Sequence, residues 1–357
     1  MSGAGVSGYA AISARVRAMY SDLLDPQDLD RLSDTPDLPS LISQLKTTAY
    51  GPYLDRLKEQ AVAPQQVLLA ISGKLADSYE SVIQLAPDQA RPLLKSLYRF
   101  HEVEDLKAVL RGLQAGASWE QIRPILFPFG MVGKLPAQAI LESGSIPAAV
   151  EQLAGTPYDE PLSFAMRRFS TDQNLFPLEV ALDLHYWRQL WQEARKLQGL
   201  DRGRALRIVG ALMDMNNLTW VIRYRVYHGL SEEELINYTL PFGFHVRDED
   251  VRAIAAGSDI AAVVGSVYPN LPNVNELLAE PRRGLPQLEV LLKRNLLEQC
   301  ITAFIGDPFH IGVPLAFLVL SDLEINDLTV LIEAKSTGMP EQDYQPFLLR
   351  SGSGVKA

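Results

Sequence analysis

An all-α protein built from three pseudo-equivalent helical units is what this sequence predicts. Two observations carry the reading. One helical segment occurs three times, and between its copies apolar residues step by three and four with no sustained period-two alternation. The segment is clearest at Glu324-Ile325-Asn326-Asp327-Leu328-Thr329-Val330-Leu331-Ile332, followed by Gly338. Earlier copies run from Asp214 through Leu218 to Gly229 and from Glu102 through Leu106 to Gly116. Each opens on an acid, then an apolar residue, a Glu or Asn, an Asp or Asn, and Leu. The anchor leucines lie 112 and 110 residues apart. Repeats at a fixed period are the first feature to establish, because they set the architecture.

Taken in order, Tyr9 to Leu24 reads as a helix with Ile12, Val16, Met19 and Leu23 on one stripe. The run from Leu38 to Leu45, closing at Tyr50-Gly51-Pro52-Tyr53-Leu54, recurs from Ile146 to Leu153, closing at Tyr158, with an offset of 108. A third copy is Ile260-Ala261-Ala262-Val263, closing at Tyr268-Pro269. Pro128-Phe129-Gly130 matches Pro241-Phe242-Gly243 at an offset of 113. The Gly-Ser pairs at 144 and 257 read as turns into a helix. A long helix precedes each anchor. In the second unit Val180, Leu184, Trp187, Trp191 and Ala194 form its packing seam. In the third, Leu292, Leu296, Leu297, Cys300, Ile301 and Phe304 do so, which makes Cys300 a small core residue. In the first it begins near Val67.

Gly116, Gly229 and Gly338 stand where a helix needs a left-handed residue to close its last turn. Ser118 with Gln121, and Ser231 with Glu234, then open a new helix as capping boxes. In the third copy Pro340 suits a first helical position. The units are drawn at 1–117, 118–230 and 231–345, with 346–357 as a flexible tail.

The totals exclude several functions. A net charge of −10 argues against a nucleic-acid binder and against direct adsorption to anionic lipid. Cys300 alone makes neither an intramolecular disulfide nor a thiolate metal site. The five histidines (101, 185, 228, 245, 310) show no zinc-ligand spacing and read as ordinary surface or core residues. Met1 to Gly8 does not read as a signal peptide. Ile301 to Leu320, the most apolar stretch, is interrupted at Asp307, Pro308, His310, Gly312 and Pro314, and reads as two buried helices joined by a turn.

No phosphate loop, zinc motif, calcium loop or nucleophile elbow is present. No catalytic, cofactor-binding or metal-ligating residue is assigned, and no cofactor is implied. Glu102, Asp214 and Glu324 are the residues of interest, four before each anchor leucine on an apolar face. One could be a general base in a pocket. Three equivalent copies favour a structural role instead, each acid partly buried and paired with a donor in its own unit.

Gly306-Asp307-Pro308-Phe309-His310-Ile311-Gly312-Val313-Pro314-Leu315, running into Glu324-Ile325-Asn326-Asp327-Leu328, resembles the C-terminal signature of the C subunit of A/V-type rotary ATPases, the d subunit in eukaryotes. Tyr9 to Arg17 and Tyr50 to Leu54 resemble that family's opening, so the likeness spans residues 9–345. Thr329-Val330 departs from the eukaryotic form and favours the bacterial or archaeal type. The resemblance implies a funnel of three helical domains, peripheral on the cytoplasmic face of the membrane. Such a subunit links central-stalk subunits D and F to the membrane rotor ring of proteolipid subunits. It transmits torque and performs no chemistry. The residues contacting those partners stay unassigned. A helical scaffold unrelated to rotary motors, and an enzyme with a site built across repeats, remain the alternatives.

Overall fold

The computed structural model describes residues 3–57, 62–130 and 135–350. The tail Ser351–Ala357 and the first two residues lie outside these. Among the described residues every regular element is helical. The first unit holds α1 (Gly3–Tyr20), α2 (Pro26–Ser33), α3 (Leu38–Leu45), α4 (Gly51–Leu54), α5 (Pro64–Leu85) and α6 (Arg91–Ala115). Next come α7 (Trp119–Ile122), α8 (Ala137–Leu141), α9 (Ile146–Glu151), α10 (Asp159–Asp172), α11 (Phe176–Lys196) and α12 (Gly199–Arg223). The chain continues through α13 (Glu232–Asn237), α14 (Asp248–Ala255), α15 (Ile260–Val267), α16 (Val274–Leu277), α17 (Pro281–Thr302), α18 (Gly312–Thr337) and α19 (Glu341–Tyr344).

Local chemistry explains the boundaries. Asp37, Ser145 and Asp259 cap the equivalent helices α3, α9 and α15, accepting from the amides of Ser40, Ala148 and Ala262. Each cap satisfies one of the amides that a helix start leaves without an intrahelical partner. The anchor helices α6 and α18 end directly on Gly116 and Gly338, at φ 69° and 66°. Helix α12 first widens into a π turn over Tyr224–His228 and then ends on Gly229 at φ 60°. All three glycines are left-handed, as their positions predict. Pro340 sits one residue earlier than expected, as the extended residue before α19. Helix α1 stops at Tyr20, short of Leu24, yet Ile12, Val16 and Met19 are buried as its stripe requires. Chain 303–311 separates α17 from α18, so the apolar stretch is indeed two helices and a turn.

The three pairs α5/α6, α11/α12 and α17/α18 are hairpins. Each anchor helix also packs against the long helix of the following pair: α6 on α11, α12 on α17, and α18 back on α5. The packing order therefore closes on itself. Every contact is antiparallel. Lys107 meets Asp183 and Arg111 meets Glu179 between α6 and α11. Arg223 meets Glu289 between α12 and α17, and Lys74 meets Glu324 between α5 and α18. All three hairpin turns consequently lie at one end, and the three glycine-capped ends at the other.

The tail needs correction. Residues 346–350 were expected to be flexible, yet Leu348, Leu349 and Arg350 are buried. Leu348 joins the small core formed by α2, α3, α4 and the end of α18. The physical reason lies in two buried carboxylates that this segment satisfies.

Candidate functional site

The three repeated acids share one plan. Asp214 is fully buried on α12. It accepts from the backbone amides of Phe244 (2.8 Å), His245 (2.6 Å) and Val246 (3.1 Å), and Tyr268 Oη lies at 3.4 Å. Burial pushes its carboxyl above the usual range, while the three amides pull it back. Gly243 leaves room for this arrangement, since a Cβ there would stand 2.0 Å from the Asp214 carboxylate.

Glu324 is also fully buried on α18, with a different donor set. Its Oε1 accepts from Tyr50 Oη at 2.6 Å and Lys74 Nζ at 3.3 Å. Its Oε2 accepts from the Leu24 amide at 2.6 Å and Arg350 at 3.2 Å. Arg350 also donates to the carbonyls of Leu24 and Leu320. Two cations and two neutral donors surround one carboxylate, which is how a buried charge is tolerated. Glu102 is half-buried on α6 and accepts from Tyr158 Oη at 2.6 Å.

So the tyrosines that close the short-helix repeat, Tyr50, Tyr158 and Tyr268, meet the three acids one to one. Burial first, and the neighbouring carboxylate second, push each phenol upward, keeping it a neutral donor. Both sets of residues are legible in the sequence. That they meet is not.

A second triplet lies one turn along the same helices. Asp105 accepts the Phe127 amide at 2.9 Å, Asn217 the Leu240 amide at 2.9 Å, and Asp327 the Leu349 amide at 2.6 Å. Leu349-Arg350 thus stands where Phe127-Pro128 and Leu240-Pro241 stand in the earlier copies. The pattern Leu349-x-x-Gly352 was the available signal, obscured by Arg350 in place of proline. Burial pushes Asp105 up to about 7 and Asp327 to about 6.

The expectation that each acid finds its donor within its own unit fails on the boundaries drawn above. Glu102 takes its donor from 118–230 and Asp214 from 231–345. Glu324 takes three from the first unit and Arg350 from the tail segment. The reason is the packing order: each anchor helix is covered by the short helices that follow it in sequence. For the last anchor helix, α2, α3 and α4 from the N-terminal part supply that cover.

Among the described residues, no group of three or more His, Cys, Asp or Glu is placed to hold a metal ion. No described helix is long and apolar enough to cross a membrane. Cys300 is fully buried, and burial pushes its thiol upward. His310 is buried as well. Its Nδ1 accepts the Gly312 amide at 3.0 Å, and burial with nearby Arg204 pushes the ring downward.

These features define an all-helical repeat protein whose recurring acids hold one helical layer against the next. The family follows from comparison. The model of the ATP synthase (C/AC39) subunit family matches residues 12–345, and the chain belongs to that family. It is 24% identical to the C subunit of the A-type ATP synthase of Methanocaldococcus jannaschii, over 96% of this chain and 86% of the relative. The corresponding protein of Methanothermobacter thermautotrophicus is 25% identical, over 95% and 87% of the two chains. That of Archaeoglobus fulgidus is 23% identical, over 95% of each.

Proposed function

We propose that this chain is the non-catalytic rotor connector of an A/V-type rotary ATPase. It links central-stalk subunits D and F to the membrane ring of proteolipid subunits, peripherally on the cytoplasmic face. It carries torque between them, for ion transport coupled to ATP synthesis or hydrolysis. The three helical units form a funnel around a pseudo-threefold axis.

The observation that carries this reading, beyond family membership, is the closed packing order with its ion-paired seam. A connector under torque must resist shear between its first and last elements. Glu324, Arg350, Lys74, Tyr50 and the Leu24 backbone join α18 to α5 and to the N-terminal short helices. Charge-assisted hydrogen bonds in a buried network are directional and resist sliding. The repeated acids support an assembly role in the same way, because their capacity is taken up inside the fold.

The test is purification of the tagged chain from detergent-solubilised membranes of its own source, with identification of what accompanies it. Stalk and ring subunits are expected. Their absence, with soluble partners in their place, would favour the helical scaffold unrelated to rotary motors.

A further inference from the structure

The two ends of the helical array differ in chemistry. Each hairpin turn exposes one large apolar side chain: Leu85 at the end of α5, Leu200 at the start of α12, and Ile305 between α17 and α18, at 41%, 53% and 73% exposure. Three such residues, one per unit and all at one end, form a repeated pattern, unlike the scattered surface leucines of any soluble protein.

That end is also basic. Segments 9–20, 80–99, 188–207 and 298–311 hold eleven Lys and Arg against six Asp and Glu, in a chain with 33 and 43 overall. Lys95, Arg195, Arg202 and Arg207 are exposed there. An open groove of about 560 Å³ between α6 and α11 is lined by Arg91, Lys95, Arg99 and Lys196, together with Asp88 and Glu193. Helix α1 ties the end together. Tyr9 bonds Asp201 of α12, Arg15 bonds Ser81 of α5, and Ser13 and Arg17 bond the carbonyls of Pro308 and Phe304. The opposite end is acidic, with Glu232, Glu233 and Glu234 opening α13 and Asp248, Glu249 and Asp250 opening α14. Other exposed apolar residues, Ile125, Tyr227, Phe244, Met339 and Phe347, fall at or beyond the capped ends.

We infer that the hairpin-turn end, through Leu85, Leu200 and Ile305 in their basic surround, is the surface that docks on the membrane ring, and that the capped end faces away from the membrane. The inference rests on the rotor-connector reading above. Electrostatics decides the direction. An anionic leaflet surrounds the ring and repels a chain of net charge −10, unless the chain turns its basic end toward that plane. The docking surface of the ring then offers apolar contacts for the three tips and carboxylates for the free cations. A charged rim around apolar anchors steers and orients association.

The experiment uses the membrane-bound complex. Leu85→Cys, Leu200→Cys and Ile305→Cys are introduced singly, with Ile125→Cys and Met339→Cys as capped-end controls, and each is treated with a bifunctional thiol-to-amine crosslinker. Buried Cys300 keeps background reaction low. Adducts with ring subunits from the three turn positions, and none from the controls, are expected. Ring adducts from the controls alone would overturn the orientation while leaving the connector reading intact. A complex with no ring subunit would overturn both. The Leu85→Ser/Leu200→Ser/Ile305→Ser variant should keep its unfolding midpoint and lose at least tenfold in retention within the complex, and undiminished retention would overturn the assignment. The isolated chain is also sedimented with phosphatidylserine–phosphatidylcholine vesicles. No pelleting supports a protein partner. Pelleting that the triple variant abolishes would assign the surface to lipid and overturn the inference.

Discussion

Removing the Arg350 guanidinium tests the seam most directly. Glu324 is fully buried, and Arg350 is the closer of its two cations, at 3.2 Å against 3.3 Å for Lys74. Arg350→Ala deletes that partner and also strands the carbonyls of Leu24 and Leu320. Breaking a buried pair by removing one partner costs about 3–5 kcal/mol. Lys74 remains, which places the expected loss near the lower end, about 3 kcal/mol. Glu324→Gln should cost less, about 1–2 kcal/mol. The amide oxygen still accepts from Leu24 or Tyr50, and Arg350 keeps its two carbonyls. Denaturant unfolding of the purified chain measures both, and the double variant closes a cycle whose coupling should exceed about 1 kcal/mol. A loss below about 1 kcal/mol for Arg350→Ala, or a larger loss for Glu324→Gln, would refute the claim that this segment is pinned by a buried charge.

Gly229→Val should destabilise by about 1 kcal/mol or more; no atom would lie within 4 Å of a Cβ at this position, so the cost is backbone strain at φ 60°, and an unchanged midpoint would remove the corner assignment. Gly243→Ala should disturb the Asp214 site sterically, visible as faster hydrogen exchange at the Phe244, His245 and Val246 amides; unaltered exchange would count against that geometry. Asp105 gives a pH prediction: its folded pKa, about 7, lies above the unfolded carboxylate value of roughly 3.9, so between these the native state binds the extra proton and stability falls as pH rises. Asp105→Asn should therefore flatten the stability profile between about pH 4 and 7 relative to the parent chain, and parallel profiles would refute it. Cys300 should stay unreactive to a maleimide in the native chain and react only on unfolding, so stoichiometric native labelling would contradict its burial.

How much of this was written in the sequence depends on the range of the interaction. Helix class, the left-handed glycines and the Ser231–Glu234 cap are set by contacts within one or two turns, and residue type and spacing alone carry them. The burial of Val180, Leu184, Trp187 and Ala194 follows in the same way from helical period. The repeat was equally legible, because equivalent environments select equivalent residues, and the acids and tyrosines could each be found by offset. Their partnership could not. Tyr50 and Glu324 are 274 residues apart, whereas Tyr158 and Glu102 are 56 apart and Tyr268 and Asp214 are 54 apart. Periodicity reports which face of a helix is buried and says nothing of what buries it. A boundary at a glycine marks where a helix stops, so it divides the chain at a turn; the packed layer runs across that turn, because an apolar anchor face has to be covered by whatever follows. At the last anchor helix too little chain follows. Only the tertiary structure decides that α2, α3 and α4 return from the other end to cover α18, and that Arg350 enters the core, because a buried carboxylate requires a donor wherever in the chain one can reach it.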